Sequence, residues 1–488
     1  MNTFTPRPLP QLPKAGRKDA PNGRRKCAFQ PTQKLTALLL SAFAFIAADT
    51  LTCAGADASR PSFLIILADD HGYGDVSTYH PSDVKTPHID SIATQGMLFT
   101  TMRANCTVCS PTRAALLTGR YADRVGVPGV IRTLPHDSWG YFDPAVPTLA
   151  DELKKAGYHT GIIGKWHLGL ESPNTPNERG FDHFHGFLGD MMESYTTHLR
   201  HGNNYMRLNQ ETIEPAGHAT DLFAEWAADY LRARAHARTQ GKPQPFFVYL
   251  AFNAPHFPIE PPAEWLARVK QRAPQLDEKR AANVALIEHL DDRIGRVLAT
   301  LAETGFDQNT VVVFTSDNGG SLPHGQNNDP WRDGKQSHYD GGLRVPFMVR
   351  WPQGIKAGSR SDYAGLSFDL FPTFLELAGA KPAADLDAVS LVHVLNGGTV
   401  TTPRDLYFVR REGGPAYGGK SYEAIIRGDW KLMQNDPFSP YELYNLKDDP
   451  QEKQNLAATN NKVLQELAAA LRAHIQRGGA TPWQKPTR

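Results

Sequence analysis

Ser62-Phe63-Leu64-Ile65-Ile66-Leu67-Ala68-Asp69-Asp70-His71-Gly72 is a strand-length, mostly apolar run that ends abruptly in two carboxylates. The same arrangement recurs three times. Thr160-Gly161-Ile162-Ile163 leads into Gly164-Lys165-Trp166-His167. The run 246–252 leads into Asn253-Ala254-Pro255-His256, and 311–315 leads into Ser316-Asp317-Asn318-Gly319. Continuous rather than alternating apolarity predicts strands buried on both faces, as in a parallel sheet. Between them, helical patterns run over 148–156, 220–235 and 283–303. The last carries Leu286, Leu290, Ile294, Val297 and Leu301 on one stripe. Strand–helix alternation predicts a doubly wound α/β domain with a mostly parallel central sheet and helices on both faces. In such sheets ligands lie beyond the carboxyl ends of the strands. The four polar clusters should therefore converge.

Convergence has an electrostatic consequence. Asp69, Asp70 and Asp317 at one sheet edge would repel one another unless neutralised. Asp-Asp after a single strand is more often a cap or a solvated turn. With Asp317-Asn318 in the matching place on another strand, a divalent cation is the better explanation. The donor set is all oxygen, which suits Ca²⁺ or Mg²⁺ rather than zinc. Lys165, His167, His256 and Lys335 add cationic or protonatable groups suited to an anionic substrate. Each alone would more often be structural. Lys335 stands in Gly334-Lys335-Gln336-Ser337-His338-Tyr339-Asp340-Gly341-Gly342, where a glycine pair permits close backbone approach before a strand over 345–349.

Residues 109–113 read Cys-Ser-Pro-Thr-Arg, followed by an apolar helical run through Leu117. Ser110 is a favourable helix N-cap and Pro111 a favourable first helical residue. Residue 109 should then lie just ahead of a helix N-terminus, where free N–H groups favour an anion. Cys106 and Cys109 form a C-x-x-C, open to reading as a redox pair or half a zinc site. No second Cys pair follows downstream, so a Cys-rich zinc site is disfavoured.

The chain has 488 residues, 52 Lys and Arg against 51 Asp and Glu, and 40% hydrophobic residues. That length suits one large domain and a smaller one. The charge balance gives no argument for nucleic-acid binding. Residues 1–34 are Pro-rich and basic, and an apolar run of about 14 residues follows, too short for a spanning helix but suited to a signal-peptide core. Ala54-Gly55-Ala56 is a candidate cleavage site. The alternatives are a retained anchor, a lipoprotein signal at Cys53, which Thr52 fits poorly, and a twin-arginine signal at Arg24-Arg25. We read residues 1–58 as signal and leader, 59–400 as a catalytic domain and 401–488 as a small C-terminal α+β subdomain. Cleavage would remove Cys27 and Cys53. The expectation is an exported protein, periplasmic or secreted, with no stable membrane span after signal removal.

Taken together and in order, these motifs resemble the type I, formylglycine-dependent sulfatases of the arylsulfatase A-like group, members of the alkaline phosphatase superfamily. The resemblance spans roughly residue 60 to the C-terminus. It rests on Asp69-Asp70, Cys109 to Arg113 with Thr118-Gly119-Arg120, Gly164 to Gly169, Pro255-His256, Ser316 to Gly319, and Lys335 to Gly342. In the tail, Arg427-Gly428-Asp429-Trp430-Lys431-Leu432 and Glu442-Leu443-Tyr444-Asn445-Leu446 resemble the small C-terminal antiparallel sheet of that family, with its packed helix. Thr112 stands where Ser is common, and Asp340 where Glu usually precedes Gly-Gly. Cys106 is additional, and a Cys106–Cys109 disulfide would block maturation.

The resemblance implies an alkaline-phosphatase-like fold. It also implies Cys109 oxidised to 3-oxoalanine (formylglycine) by a formylglycine-generating enzyme or equivalent maturase. One Ca²⁺ would be held by Asp69, Asp70, Asp317, Asn318 and residue 109. Arg113 would hold residue 109 and offset charge at the metal. Asp317 would take the attacking proton, and His256 or Lys335 would protonate the leaving oxygen. His167 with Lys165 would assist regeneration of the aldehyde. The substrate would be a sulfated small molecule or carbohydrate. Phosphomonoester or phosphonate monoester hydrolysis is the nearest enzymatic rival, disfavoured by Cys109 with Pro111 and Arg113. A non-catalytic binder of sulfated glycans is disfavoured because every expected site residue is intact. The segment 181–217, with Asp182, His183, His185, Glu193, Tyr195, His198 and Arg200, is expected to line the pocket mouth.

Overall fold

The computed structural model describes residues 60–81, 83–381, 385–400, 403–412 and 421–486. The leader expected over 1–58 lies outside them. Sixteen strands occur among the described residues. They are β1 (Ser62–Ala68), β2 (Met97–Phe99), β3 (His159–Lys165), β4 (His183–Phe187), β5 (Leu199–Arg200), β6 (Asn203–Asn204), β7 (Met206–Leu208) and β8 (Glu211–Thr212), then β9 (Phe246–Ala251), β10 (Thr310–Ser316), β11 (Phe347–Arg350), β12 (Ser359–Ser361), β13 (Asp405–Arg411), β14 (Ser421–Arg427), β15 (Trp430–Gln434) and β16 (Glu442–Asn445). The helices are α1 (Pro87–Thr94), α2 (Cys109–Thr118), α3 (Leu149–Lys155), α4 (Ala219–Thr239), α5 (Ala263–Arg272), α6 (Glu278–Glu303), α7 (Asp340–Leu343), α8 (Leu370–Leu377), α9 (Val392–Leu395) and α10 (Asn461–Gly478).

Ten strands form the main sheet in the order β12-β2-β11-β10-β1-β9-β3-β4-β7-β8. Its centre, β10-β1-β9-β3-β4, is parallel throughout. The flanks carry antiparallel pairs, β10 with β11, β11 with β2, and β4 with β7. This is the doubly wound, mostly parallel architecture expected from the apolar runs.

Both faces are covered. Alternate side chains of β1 point opposite ways. Phe63, Ile65 and Leu67 meet α2, α3 and α8 through Leu116, Leu153, Phe371 and Phe374. Leu64 and Ile66 join the other core with Ile89 of α1, Phe223 of α4 and the α6 stripe Leu286, Leu290, Ile294, Val297 and Leu301. Burying each such side chain contributes about 1.5–3 kcal/mol, enough to explain why strands this apolar stay central.

The four-stranded antiparallel sheet β13-β14-β15-β16 packs one face against the main domain, with Leu406, Phe408 and Ile426 meeting Tyr121 and Phe368. Its other face, with Ile425, Leu432 and Leu443, is closed by Leu467 and Leu471 of α10. The β14–β15 hairpin turns on Gly428-Asp429, with Gly428 at φ 56°, the left-handed conformation such turns need. Among the described residues, no helix is long and apolar enough to cross a membrane.

Candidate active site

Parallel order puts the carboxyl ends of β10, β1, β9 and β3 along one edge. Ala68 pairs with Ser316 and Leu67 with Ala251. The next residues are tied across: Asp317 N–H donates to the Ala68 carbonyl at 3.2 Å, and Asp69 N–H to the Ala254 carbonyl at 3.1 Å. Asp70 N–H donates to Asp317 Oδ1 at 3.2 Å. The backbone of Asp70 (φ 63°) and of His167 (φ 58°) is left-handed, a conformation costing non-glycine residues about 1 kcal/mol. Two such residues at one edge mark it as a site shaped for something besides stability.

Cys109 reaches this edge from one face of the sheet. Its helix starts earlier than Ser110 and Pro111 implied. Val108 takes the N-cap position, Cys109 is the first helical residue, and Gly119 (φ 64°) ends α2 in a left-handed cap. The reason is local. Thr112 Oγ1 accepts from Cys106 N–H at 3.0 Å and donates to the Cys106 carbonyl at 3.1 Å, closing the turn one step ahead. Ser110 Oγ instead accepts from Ile131 N–H at 3.1 Å. Cys106 and Cys109 are both free thiols. Cys106 Sγ lies 3.6 Å from the Val409 carbonyl, and no disulfide joins it to Cys109.

The residues predicted from sequence do meet. Cys109 Sγ lies 3.3 Å from Asp69 Oδ1, 4.0 Å from Asp70 Oδ1 and 3.7 Å from Lys335 Nζ. Arg113 donates to Asp317 Oδ2 through Nε (3.1 Å) and Nη2 (2.7 Å), and to the Lys165 carbonyl at 3.2 Å. It grips Asp317 rather than residue 109 itself. Lys165 Nζ pairs with Asp69 Oδ2. Lys335 Nζ lies 2.7 Å from the Asp70 carboxylate, and His256 Nε2 3.6 Å from it. Asn318 Nδ2 donates to Asp70 Oδ1 at 2.7 Å. Lys335 is delivered by backbone bonds of its own N–H to Gly320 and of Gln336 N–H to Thr107. Gly341 permits the close packing, since a Cβ there would fall 2.1 Å from the Asp333 carbonyl.

Burial sharpens every charge here. It would raise the carboxyl of Asp69, but Lys165, His256, Arg113 and Lys335 outweigh it and hold that group well below the usual range. Asp317, buried beside Asp69, is pushed up to about 6 despite Arg113. Burial with Asp317 and Asp69 alongside drives the Cys109 thiol well above its ordinary value, so an unmodified Cys109 is a poor nucleophile. Burial alone would lower Lys335, yet Asp70, Cys109 and Asp69 keep its ammonium charged. His256 falls to about 4 through burial and Lys335. His167 falls well below its ordinary value through burial, Lys165 and Arg113. Its Nε2 donates to the Ile131 carbonyl at 2.8 Å, leaving Nδ1 a buried acceptor with no hydrogen-bond partner among the described residues.

Three carboxylates thus face the basic side chains of Arg113, Lys165 and Lys335, so the fold tolerates the cluster by itself. The donor set nonetheless fits a hard divalent ion. Asn318 Oδ1 is buried without a hydrogen-bond partner, and Asp69, Asp70, Cys109 and His256 present donor atoms within 4.8 Å of one another. The site opens into a cavity of about 230 Å³. Of the seven residues expected at its mouth, Arg200 lines it. Asp182, His183 and His185 face a separate cavity beside Trp226 and Tyr230. Tyr195 is buried and holds the His256 loop, its hydroxyl lying 2.8 Å from the Asn253 carbonyl and 2.9 Å from that of His256. His198 hydrogen-bonds the Gly217 carbonyl, and Glu193 accepts from His201 N–H.

Four titratable wall residues were not named from the sequence: Arg132, Asp190, His324 and Glu412. Arg132 pairs with Glu412 at 2.7 Å, and Asp190 with Arg200 at 2.9 Å. Asp190 falls within the segment 181–217 expected at the mouth, and His324 lies seven residues beyond Asp317; Arg132 and Glu412 carried no positional signal.

Residues 61–380 match the family model described as Sulfatase, and 329–479 match that described as N-sulphoglucosamine sulphohydrolase, C-terminal. The chain belongs to the sulfatase family. This sulfatase is 32% identical over 423 residues to N-acetylgalactosamine-6-sulfatase of Rattus norvegicus, covering 82% of this chain and 75% of the relative. It is 28% identical over 498 residues to N-acetylgalactosamine-6-O-sulfatase of Bacteroides thetaiotaomicron, covering 86% and 93%. Among solved structures it is similar to Ps i-CgsB in complex with k-i-k-neocarrahexaose, with a TM-score of 0.79 at 28% identity over 87% of this chain and 95% of that one. The fold and the enzyme class, a hydrolase of sulfuric esters, follow.

Proposed function

We propose that this sulfatase hydrolyses a sulfate ester on a sulfated carbohydrate after export from the cytoplasm. Cys109 is first oxidised to 3-oxoalanine by a formylglycine-generating enzyme or equivalent maturase. One Ca²⁺ is held by Asp69, Asp70, Asp317, Asn318 and residue 109. The observation that carries the proposal is residue 109 at a helix N-terminus, between Asp69 and Lys335, at the floor of an open cavity. The carbohydrate is supported by the relatives that act on N-acetylgalactosamine sulfates and by the neighbour bound to a neocarrahexaose.

The hydrated aldehyde supplies two hydroxyls on one carbon, one to attack sulfur and one whose deprotonation releases sulfate. The cation supplies a Lewis acid and a template for the sulfate oxygens. This chain's own residues do the rest. Arg113 and Lys165 fix Asp317 and Asp69 in place and offset their charge. Asp317, held by Arg113 at the same sheet edge as Asp69 and Asp70, accepts the attacking proton. Lys335, held as an ammonium, draws the anionic ester in, and Lys335 or His256 delivers a proton to the leaving alcohol. Nδ1 of His167 is the bare acceptor available when the aldehyde is regenerated. The net reaction consumes one water and yields an alcohol and sulfate.

Side-by-side assays of 4-nitrophenyl sulfate, 4-nitrophenyl phosphate and a panel of sulfated sugars test this. Sulfate turnover should exceed phosphate turnover, and the peptide carrying residue 109 should have the mass of the aldehyde. Faster phosphate turnover, or full activity with an intact thiol, would refute it. Chelation should abolish activity while the fold survives, because Arg113, Lys165 and Lys335 already balance the carboxylates. Added Ca²⁺ should restore the rate.

A further inference from the structure

A second cavity, of about 760 Å³, adjoins the catalytic one and is about three times its size. The two share Arg132 as a wall. They also lie on either side of the Ile131–His167 hydrogen bond, His167 facing the smaller and Leu168 and Gly169 the larger. The larger cavity is floored by Trp139 and Trp483, whose rings stack at 4.8 Å and 8°. These two residues are far apart in sequence and both stay half-buried.

The arrangement is built rather than incidental. Beyond α10 the tail is pinned onto the loop that carries Trp139. Thr481 Oγ1 donates to the Arg124 carbonyl at 3.1 Å. Gly126 leaves no room for a side chain, since a Cβ there would sit 2.3 Å from the Tyr141 carbonyl and 2.8 Å from that of Pro482. Lys485 reaches Glu171 at 2.5 Å, across the loop that follows β3. An aromatic floor ringed by Arg132, Ser138, Gln484 and the Lys485–Glu171 pair presents apolar faces with polar groups at the edges. That combination suits a sugar ring, which has an apolar face and a hydroxyl perimeter, better than a wholly apolar aglycone.

We propose that this cavity seats the saccharide units next to the sulfated one, so that the substrate is an oligosaccharide or polysaccharide rather than a free sulfated monosaccharide. The inference rests on the sulfatase reading of the smaller cavity. Trp483 acts as a specificity-determining residue there, by holding the chain and not by touching the sulfur.

The test compares kcat/KM on 4-nitrophenyl sulfate, on mono-, di- and tetrasaccharide ladders from chondroitin 6-sulfate and ι-carrageenan, and on a steroid sulfate. Wild-type protein should prefer the tetrasaccharide of at least one ladder over its monosaccharide by tenfold or more. Trp483→Ala should lower the tetrasaccharide-to-aryl-sulfate ratio about tenfold, chiefly through KM, while Trp483→Phe retains most of it. Equal preference along both ladders, turnover of neither while the aryl sulfate is hydrolysed, an unchanged ratio in Trp483→Ala, or a Trp483-dependent gain on the steroid sulfate would each overturn the proposal. Failure of wild-type, aldehyde-bearing protein on the aryl sulfate would instead defeat the underlying reading, and this one with it.

Discussion

Compared side by side, two of the buried charge clusters among the described residues differ in kind, one a candidate for chemistry and the other not. At the sheet edge, Asp69, Asp70 and Asp317 face Arg113, Lys165 and Lys335. Between the main domain and the small sheet, Asp340 takes Arg103 at 2.6 Å, Arg344 at 2.8 Å and Lys431 at 3.0 Å, while Lys431 also pairs with Glu452 at 2.6 Å. Both are almost dry, and in both cations hold a carboxyl well below the usual range against burial, Asp69 in one and Asp340 in the other. Burial and perturbed ionisation therefore do not separate function from architecture. What separates them is the opening. The first cluster borders a cavity lined by Asp70, Cys109, His167 and Lys335; left-handed backbone does not separate the two, since Glu452 (φ 56°) of the second shares it with Asp70 and His167 of the first. The members of the second border neither the catalytic cavity nor the larger one beside it, and they clamp β15 and α7 together.

Cys109→Ala breaks the comparison hardest. Loss of the nucleophile should cost kcat on the order of 10⁴-fold or more, with a melting temperature close to that of the parent, since Cys109 holds no other element in place. Retained turnover would sink the open cluster as the reaction site. Lys431→Met is the mirror experiment. It strands Asp340 and Glu452 with one fewer cation, so stability should fall by about 3–5 kcal/mol in urea titrations. Turnover per folded molecule should stay at the parent level. Lost activity without lost stability would mean that the closed cluster is misassigned.

Lys335→Ala sharpens the contrast from the other side. Removing an ammonium beside Asp70 and residue 109 should lower kcat about 10²–10³-fold, a larger change than the accompanying shift in stability. A mainly thermodynamic effect would move Lys335 into the architectural class with Lys431.

Much of the open cluster was legible because its residues follow strands. A run such as 62–68 declares itself by apolarity alone, and parallel order then carries Asp69, Lys165, His256 and Asp317 to one edge without further information. The closed cluster was not legible. Arg103, Arg344 and Glu452 follow no regular element with a readable period, and their convergence depends on how the small sheet docks. Arg132 and Glu412 were missed for the same reason, since a loop's path is set by tertiary packing rather than by local pattern. The start of α2 was misplaced because Thr112 closes a local turn with the backbone of Cys106 while Ser110 Oγ is taken by Ile131 N–H, so Ser110 does not act as the cap. Mouth residues 182, 183 and 185 were misassigned because β4 turns them away from the cavity that Arg200 reaches.

The smallest expected effect concerns the electrostatics of the closed cluster. His338 is buried, and burial together with Lys431 and Arg410 pulls its imidazole well below the ordinary value. Unfolded, it would take up a proton near pH 6.5; folded, it resists. A depressed folded value means that the native state binds fewer protons than the unfolded chain below pH 6.5. The resulting stability is complete above that pH and declines as the pH falls, by about 1.4 kcal/mol per unit for one group. His338→Asn should remove this slope. In urea titrations the stability gap between parent and variant should shrink by about 1 kcal/mol on going from roughly pH 7 to pH 5.5. Identical slopes for the two proteins would show that His338 takes up its proton as readily in the folded state as in the unfolded chain, so that neither burial nor the neighbouring cations depress it.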